Sequence, residues 1–203
     1  MLSLYSTREK ILRAAIELFT TRGFENTSVQ AIQAHANIAV NTFYRYFPSK
    51  EQLVNEIYQG LRDAFEGALE QAKEADGPRS RFHQLWVEMG AYQRNYPQVI
   101  SFLDRQYGER YLDKASRALP RVPAAITEVL VQLQQEKMAK QLPPALLGAV
   151  IWGAFLDLAK ARAPSRAPLS EDDIRGLEDC TWDAVRARAA QADQDPAWVE
   201  RSA

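Results

Sequence analysis

The sequence contains one cysteine and no long hydrophobic run, and both shortages exclude whole classes of protein. A single cysteine cannot form an internal disulfide, which excludes a disulfide-rich secreted scaffold. The longest uncharged apolar stretch, residues 142–156, is shorter than the roughly 20 residues that a membrane-spanning helix needs. The first ten residues lack the apolar core of a signal peptide. We therefore expect a cytoplasmic protein that does not enter a membrane.

Side chains that carry catalysis or hold cofactors are equally scarce. Two histidines and one cysteine cannot build a zinc site without carboxylates. The glycine motifs GxxxxGK, GxGxxG and GxSxG, which bind phosphates or present a nucleophile, are missing from the sequence. Cys180 lies among apolar neighbours and is expected to be a buried helix residue, whereas His83 is expected to be partly exposed. These observations predict no enzyme, no cofactor and no metal.

Helical periodicity dominates the chain and predicts an all-α fold. Three capping boxes mark helix starts near the amino terminus, at Ser6 with Glu9, Thr27 with Gln30 and Ser49 with Gln52. Helices are predicted over 7–21, from about 27 to 35, over 40–47, and from 50 to about 75 before the Asp76-Gly77-Pro78 break. Five more are predicted over 80–95, 97–107, 123–138, 144–163 and 171–190, while 108–122 is ambiguous and is interpreted as a short helix plus an irregular turn.

Residues 28–47 are predicted to form a helix-turn-helix. Both helices are too short to be stable alone, so they must pack on each other and on the first helix. The tight link of residues 35–38 requires a crossed pair, and Asn37 suits the bend because asparagine tolerates the left-handed conformation. On a helical wheel, Phe43 and Phe47 point inward. On spacing alone, an ordinary helical hairpin with a polar exposed face is an equally good interpretation.

The outward face of the third predicted helix is chemically suited to DNA. Residues 26–50 contain no carboxylate, and the first 50 residues carry six basic side chains against three acidic ones. Arg45 can bond guanine, Asn41 can bond adenine, and the methyl groups of Val40 can meet a thymine methyl. Thr27 and Lys50 lie at predicted helix amino termini, where backbone N–H groups favour a phosphate.

Residues 8–58 resemble the DNA-binding domain of TetR-family transcriptional regulators. The most specific match is the run Thr42-Phe43-Tyr44-Arg45-Tyr46-Phe47 with Ser49-Lys50-Glu51. The resemblance implies base contacts from Val40, Asn41, Thr42 and Arg45, and phosphate contacts from Thr27, Tyr44, Tyr46 and Lys50. Three positions depart from the family pattern: Asn37 replaces a glycine, Ala39 replaces a capping serine, and Gln33 replaces a small residue.

The fold expected from this resemblance is a three-helix head, a long connecting fourth helix and a helical bundle of about five to six helices. We divide the chain into a DNA-binding domain, a connecting helix, an effector-binding and dimerisation domain, and a tail, over residues 1–49, 50–75, 76–191 and 192–203. In TetR-like proteins the connecting helix works as a lever that ligand binding moves.

Aromatic residues and methionine cluster in the middle of the chain. Taken singly, each is better explained as a core residue, but together on a DNA-binding protein they indicate a cavity for an apolar effector. The predicted pocket residues are Phe65, Trp86, Met89, Phe102, Tyr107 and Phe155.

Residues 144–156 are apolar on every side, so a helix there must be buried all round. Its own core and a second subunit would cover it, unless it is the central helix of a monomer. TetR-like proteins dimerise through their last two helices. The resemblance therefore implies a dimer interface that includes Ala149, Trp152, Leu156, Leu177 and Thr181.

These features together predict a homodimeric, ligand-responsive transcriptional regulator. We expect a repressor that binds a palindromic DNA operator and is released by an apolar or amphipathic small molecule. An all-α ligand carrier or enzyme that does not bind DNA is the alternative, and the carboxylate-free stretch favours DNA over it.

Overall fold

Nine α-helices make up most of the chain that the computed structural model describes, which comprises residues 6–39, 41–106, 109–161 and 170–187. They are α1 (Thr7–Arg22), α2 (Val29–His35), α3 (Lys50–Leu69), α4 (Pro78–Asn95), α5 (Pro97–Gln106), α6 (Lys114–Ala118), α7 (Ala124–Gln135), α8 (Pro144–Ala161) and α9 (Glu171–Val185). Two short 3-10 helices occupy Phe43–Arg45 and Glu70–Glu74. Within these ranges the only β-type pairing is an isolated bridge between Ala139 and Arg186, so the all-α prediction is confirmed.

Several helix boundaries follow from the predicted caps. Ser6 and Glu9 form a reciprocal capping box at the start of α1, and Gly23, with φ 83°, ends that helix. The Ser49 hydroxyl accepts a hydrogen bond from the Gln52 amide at 3.1 Å and starts α3. Pro78 occupies the first turn of α4, where a missing N–H costs nothing. The region 108–122, which the sequence left open, contains the short helix α6.

The helices pack around two apolar cores. The head core combines α1, α2, Phe43 and Phe47 with the first half of α3, and it is completed by residues of α5 and the loop after it. The body core lies between the second half of α3 and helices α4, α7, α8 and α9. Helix α3 therefore contributes to both cores, with Tyr58 buried in the first and Phe65 in the second. None of the described helices is long and apolar enough to cross a bilayer.

Candidate functional site

The crossed pair of the predicted helix-turn-helix begins as expected. Asn37 has φ 51°, the left-handed conformation that the bend requires, and its substitution for glycine is therefore accommodated. The Ile38 amide donates to the Gln33 carbonyl at 3.1 Å and closes the turn. The Gln33 side chain is buried at the crossing. Sequence spacing was sufficient to find this turn because its geometry is local.

The recognition segment differs from the prediction of a helix over 40–47. Within its described residues, 41–47, the only helical part is the 3-10 turn Phe43–Arg45, and Asn41 has φ 72°, which a right-handed helix cannot contain. Ala39 has no side-chain oxygen to cap a helix, and Thr42 makes no capping hydrogen bond. The segment is held by its buried rings, Phe43 and Phe47, together with short-range backbone hydrogen bonds such as that from the Phe47 amide to the Phe43 carbonyl at 3.0 Å.

The side chains predicted to contact DNA lie mostly on the outside of this segment. Asn41, Tyr44, Arg45 and Tyr46 are exposed, and Thr42 is half-buried. The Tyr44 ring packs edge-on against Phe43, with the ring centroids 5.3 Å apart, while Tyr44 as a whole is 55% exposed. Val40, the remaining predicted base contact, lies outside the described residues.

Thr27 neither caps α2 nor faces solvent, and both predictions for its side chain are wrong. Ser28 is the cap, and its hydroxyl accepts from the Ala31 amide at 3.1 Å. Thr27 is fully buried, and its hydroxyl donates to the carbonyl oxygens of Gly23 at 2.7 Å and Leu18 at 3.3 Å. A phosphate cannot reach a hydroxyl that is buried and turned inward.

Lys50 has a structural task in addition to any contact with DNA. Its ammonium donates to the carbonyl oxygens of Phe24 at 2.9 Å and Thr27 at 3.0 Å. The same nitrogen lies 4.0 Å from the centroid of the Phe24 ring, within the range of a cation–π interaction. Lys50 thereby ties the first residue of α3 to the loop between α1 and α2.

Sequence reasoning missed the contact between the head and the loop after α5, which we call the junction and define as Phe24, Asn55 and Tyr111. The rings of Phe24 and Tyr111 stack with centroids 3.7 Å apart. The Asn55 amide donates to the Tyr111 carbonyl at 3.1 Å, and its oxygen accepts from the Asp113 amide at 2.8 Å. Burial raises the pKa of the Tyr111 phenol, whose hydroxyl donates to the Gln106 side chain. No local pattern marks these residues, because they meet only in the folded chain.

The predicted effector residues do not form one cluster. Phe65, Trp86, Met89 and Phe155 belong to the body core. Phe102 instead lies in the head core and stacks on Phe19, so its assignment to the pocket is wrong. Helix α5 divides its side chains between the two cores, which its sequence period alone cannot reveal. Tyr107 lies outside the described residues.

A cavity does adjoin two of these residues. It has a volume of about 340 Å³ and lies between α4, α8 and α9, with Trp86 and Phe155 in its lining. His83 and Glu178 also line it, and His83 Nδ1 lies 3.0 Å from Glu178 Oε1. The His83 side chain is more than half exposed, as predicted.

Helix α8 buries one face in its own chain and exposes the opposite face, as expected of a helix that needs a second covering, so it is not the central helix of a monomer. Trp152 and Leu156 are each 4% exposed and pack inside the body core, so they are not interface residues. The opposite face presents Leu146, 56% exposed, and Val150, 44% exposed. A helical wheel shows that both faces of this apolar helix must be covered. It does not show which face packs on the core of its own chain and which face is left for a partner.

On α9, two predicted interface residues also turn inward. Thr181 is buried, and its hydroxyl donates to the Leu177 carbonyl at 2.6 Å, whereas Leu177 is itself half-buried. Ala149 on α8 is the one predicted interface residue that is exposed among the described residues. Cys180 is exposed, so the prediction of a buried cysteine is wrong. Cys180 lies on the polar face of α9 and not on the face that contains Thr181.

Two family models match the chain over most of its length. Residues 11–57 match bacterial regulatory proteins of the tetR family, and residues 54–187 match the tetracyclin repressor-like C-terminal domain. The solved structure of a TetR family transcription regulator from Marinobacter aquaeolei VT8 superposes with a TM-score of 0.78 at 20% identity, covering 90% of this chain and 96% of that one.

Curated relatives are also named as regulators. The transcriptional repressor KstR2 of Mycolicibacterium smegmatis is 27% identical over 184 residues, which cover 89% of this chain and 78% of the relative. The probable transcriptional regulator YttP of Bacillus subtilis is 32% identical over 105 residues, or 50% of each chain. The chain thus spans only half of YttP, and it spans 32% of TcmR of Streptomyces glaucescens.

Proposed function

The chain belongs to the tetR family of bacterial regulatory proteins and is a transcriptional regulator, and on this premise we propose a specific mode of action. We propose that it is a repressor that binds a palindromic operator as a homodimer. An apolar or amphipathic small molecule bound in the body releases the DNA. KstR2 is named as a repressor, and its relative from Mycobacterium tuberculosis is described as a ketosteroid transcriptional regulator, which supports both the sign and the class of effector.

The observation that carries the proposal is the exposed face of residues 41–46. It combines an amide, a guanidinium and two phenols on a segment without a carboxylate, fixed from behind by Phe43 and Phe47. We assign base contacts to Asn41, Thr42 and Arg45, and retain Val40 from the resemblance. Tyr44 and Tyr46 are assigned to phosphates, where a phenol hydroxyl can donate to an oxygen. Thr27 is removed from this set, and Lys50 is assigned first to holding the head together.

We assign the dimer interface to the outer face of α8. Leu146 and Val150 form an apolar stripe that is exposed to water in the single chain. Exposure of this stripe would not stabilise a monomer. Ala149 and Gly153 lie beside them on the same exposed face, and small residues allow two helices to approach closely. A partner helix laid on this stripe would give the second covering that the apolar sequence of α8 demands.

Release of DNA is assigned to a shift of α3 against the head. The helix is shared by the two cores, and the junction ties the head to the loop that follows α5. A ligand shifts such an equilibrium only by its differential affinity for the two states. A tenfold loss of operator affinity requires about 1.4 kcal/mol of coupling, and operator must weaken ligand binding by the same factor.

Selection of binding sites from random DNA tests the proposal on the full chain. We expect enrichment of a palindrome with half-sites about 34–36 Å apart or somewhat more, followed by saturable binding of that site in fluorescence anisotropy. Failure to enrich any sequence at low salt would favour the alternative, an all-α carrier or enzyme that retains the head only as scaffold.

A further inference from the structure

The cavity between α4, α8 and α9 combines an apolar wall with several charged lining residues. Trp86, Phe155, Leu158 and Ile174 supply aromatic and aliphatic surface, and the first three of these are almost completely buried. Its volume of about 340 Å³ is at the small end of the range of about 300–1,000 Å³ for ligand sites. The walls therefore suit a compact apolar body, and the charged lining residues decide which head group it carries.

The acidic group nearest the apolar walls is already balanced. Glu178 is buried, and its carboxylate accepts from Arg79 at 2.5 Å and lies 3.0 Å from His83 Nδ1. A buried carboxylate with two such partners gains little from a further cation, since its hydrogen-bonding capacity is largely used. Glu171, the other acidic lining residue, is exposed in the first turn of α9, where the helix dipole offsets its charge.

The basic lining residues are not equally balanced. Arg175 pairs with Asp172 at 2.9 Å. Arg94 makes no hydrogen bond or ion pair within the part of the chain that the structure describes. Its guanidinium lies back over Gly90, since a Cβ added to that glycine would stand 3.4 Å from Arg94 Nη1. Arg94 is thus an exposed positive group at the edge of an apolar wall, and it makes no ion pair among the described residues.

We infer that this cavity binds an amphipathic carboxylate: an aromatic or branched apolar body between Trp86 and Phe155, with its carboxylate on Arg94. A guanidinium binds a carboxylate through two parallel hydrogen bonds, and such charge-assisted bonds are strengthened beside apolar surface. The inference rests on the proposed ligand-released regulator and names the chemical class of its ligand. Neither the family match nor the relatives' names assign Arg94 or this class.

Isothermal titration calorimetry of the full chain without DNA tests the inference with three probes of one shape. The probes are 1-naphthaleneacetate, its neutral primary amide, and the 2-(1-naphthyl)ethylammonium cation. We expect the acid to bind one site per chain and more tightly than the amide, and the cation to bind most weakly. Arg94→Gln should weaken the acid about tenfold to hundredfold and leave the amide unchanged. The matched control Arg105→Gln, an exposed arginine on α5, should change neither.

A second variant locates the site independently of charge. Gly90→Leu places a branched side chain in the lining beside Arg94 and should weaken acid and amide alike, and thermal unfolding followed by circular dichroism checks that the variant is folded. The inference is overturned if no probe binds, if the cation binds best, if Arg94→Gln leaves the acid unaffected, or if Gly90→Leu binds both like the wild type. Because no DNA is present, Arg94-dependent binding would stand even if site selection failed to find an operator.

Discussion

Replacement of Lys50 by methionine separates the two tasks assigned to this residue. Methionine keeps the apolar stem and removes the ammonium, so it deletes two hydrogen bonds to the loop carbonyls of Phe24 and Thr27 and the contact with the Phe24 ring. Hydrogen bonds from a charged donor contribute about 1.5–3 kcal/mol, and an exposed cation–π contact adds about 0.5–1 kcal/mol. The freed side chain regains up to about 2 kcal/mol of conformational entropy.

Because Lys50 is only half-buried and water can replace part of these contacts, the low ends of these ranges apply, and the net expectation is a loss of about 2–3 kcal/mol in the free energy of unfolding, within a typical total of about 5–15 kcal/mol. For a chain of this size it corresponds to a fall in Tm of about 4–12 °C. Urea denaturation followed by circular dichroism measures it. Lys114→Met is the matched control, because Lys114 is also the first residue of a helix but is exposed, and it should leave stability within about 0.5 kcal/mol of the wild type.

The salt dependence of operator binding distinguishes a structural role of Lys50 from a contact with phosphate. A lysine that only holds the head leaves the slope of log K against log salt unchanged at temperatures where the head is folded. A lysine that contacts phosphate contributes about 0.9 to that slope. An unchanged unfolding free energy together with a slope reduced by about 0.9 would refute the structural assignment of Lys50 and restore the phosphate contact.

Three further changes test other parts of the molecule. Arg45→Ala should weaken operator binding by about 1–3 kcal/mol in anisotropy titrations and barely affect random DNA, and equal losses on both would remove Arg45 from the bases. Val150→Glu should convert the proposed dimer to monomer in sedimentation, whereas the control Val131→Glu, a valine of similar exposure on α7, should not; a Val150→Glu dimer would move the interface elsewhere. Because burial raises the pKa of Tyr111 in the folded chain, stability should hold up to about pH 10 and decline above it, as the unfolded phenol ionises first. Tyr111→Phe should lessen that decline in urea denaturation between pH 8 and 11, and an identical decline would exclude Tyr111 as its source.

The sequence predicted most reliably what neighbouring residues decide among themselves. The capping box of Ser6 and Glu9 and the break at Gly77 and Pro78 depend on residues a few positions apart. The bend at Asn37 likewise needs only one residue that accepts a positive φ. Such features do not depend on how distant parts of the chain pack.

Predictions failed where the sequence offers two residues or two helix faces that suit the same role, because tertiary packing then decides between them. Thr27 and Ser28 both carry a hydroxyl suited to a cap, and burial of Thr27 leaves the cap to Ser28. A helical wheel cannot say that Trp152 faces its own chain and Val150 faces outward, because both are apolar. The recognition segment has the composition of a helix, but the left-handed Asn41 and the aromatic anchors hold it as a 3-10 turn.

The contribution of α5 to the head core limits how this protein can be recombined with its relatives. Val99, Phe102, Leu103 and Leu112 are buried against the head although they follow it by some fifty residues in the chain. In a hybrid joined after residue 57, where the first family match ends, the new head would pack against side chains of α5 and the following loop that come from the other protein. Transplanting the DNA specificity of one regulator onto the sensor of another therefore requires exchanging these four positions together with the head. The residues that must be exchanged together to transfer DNA specificity therefore lie in two separate segments of the sequence.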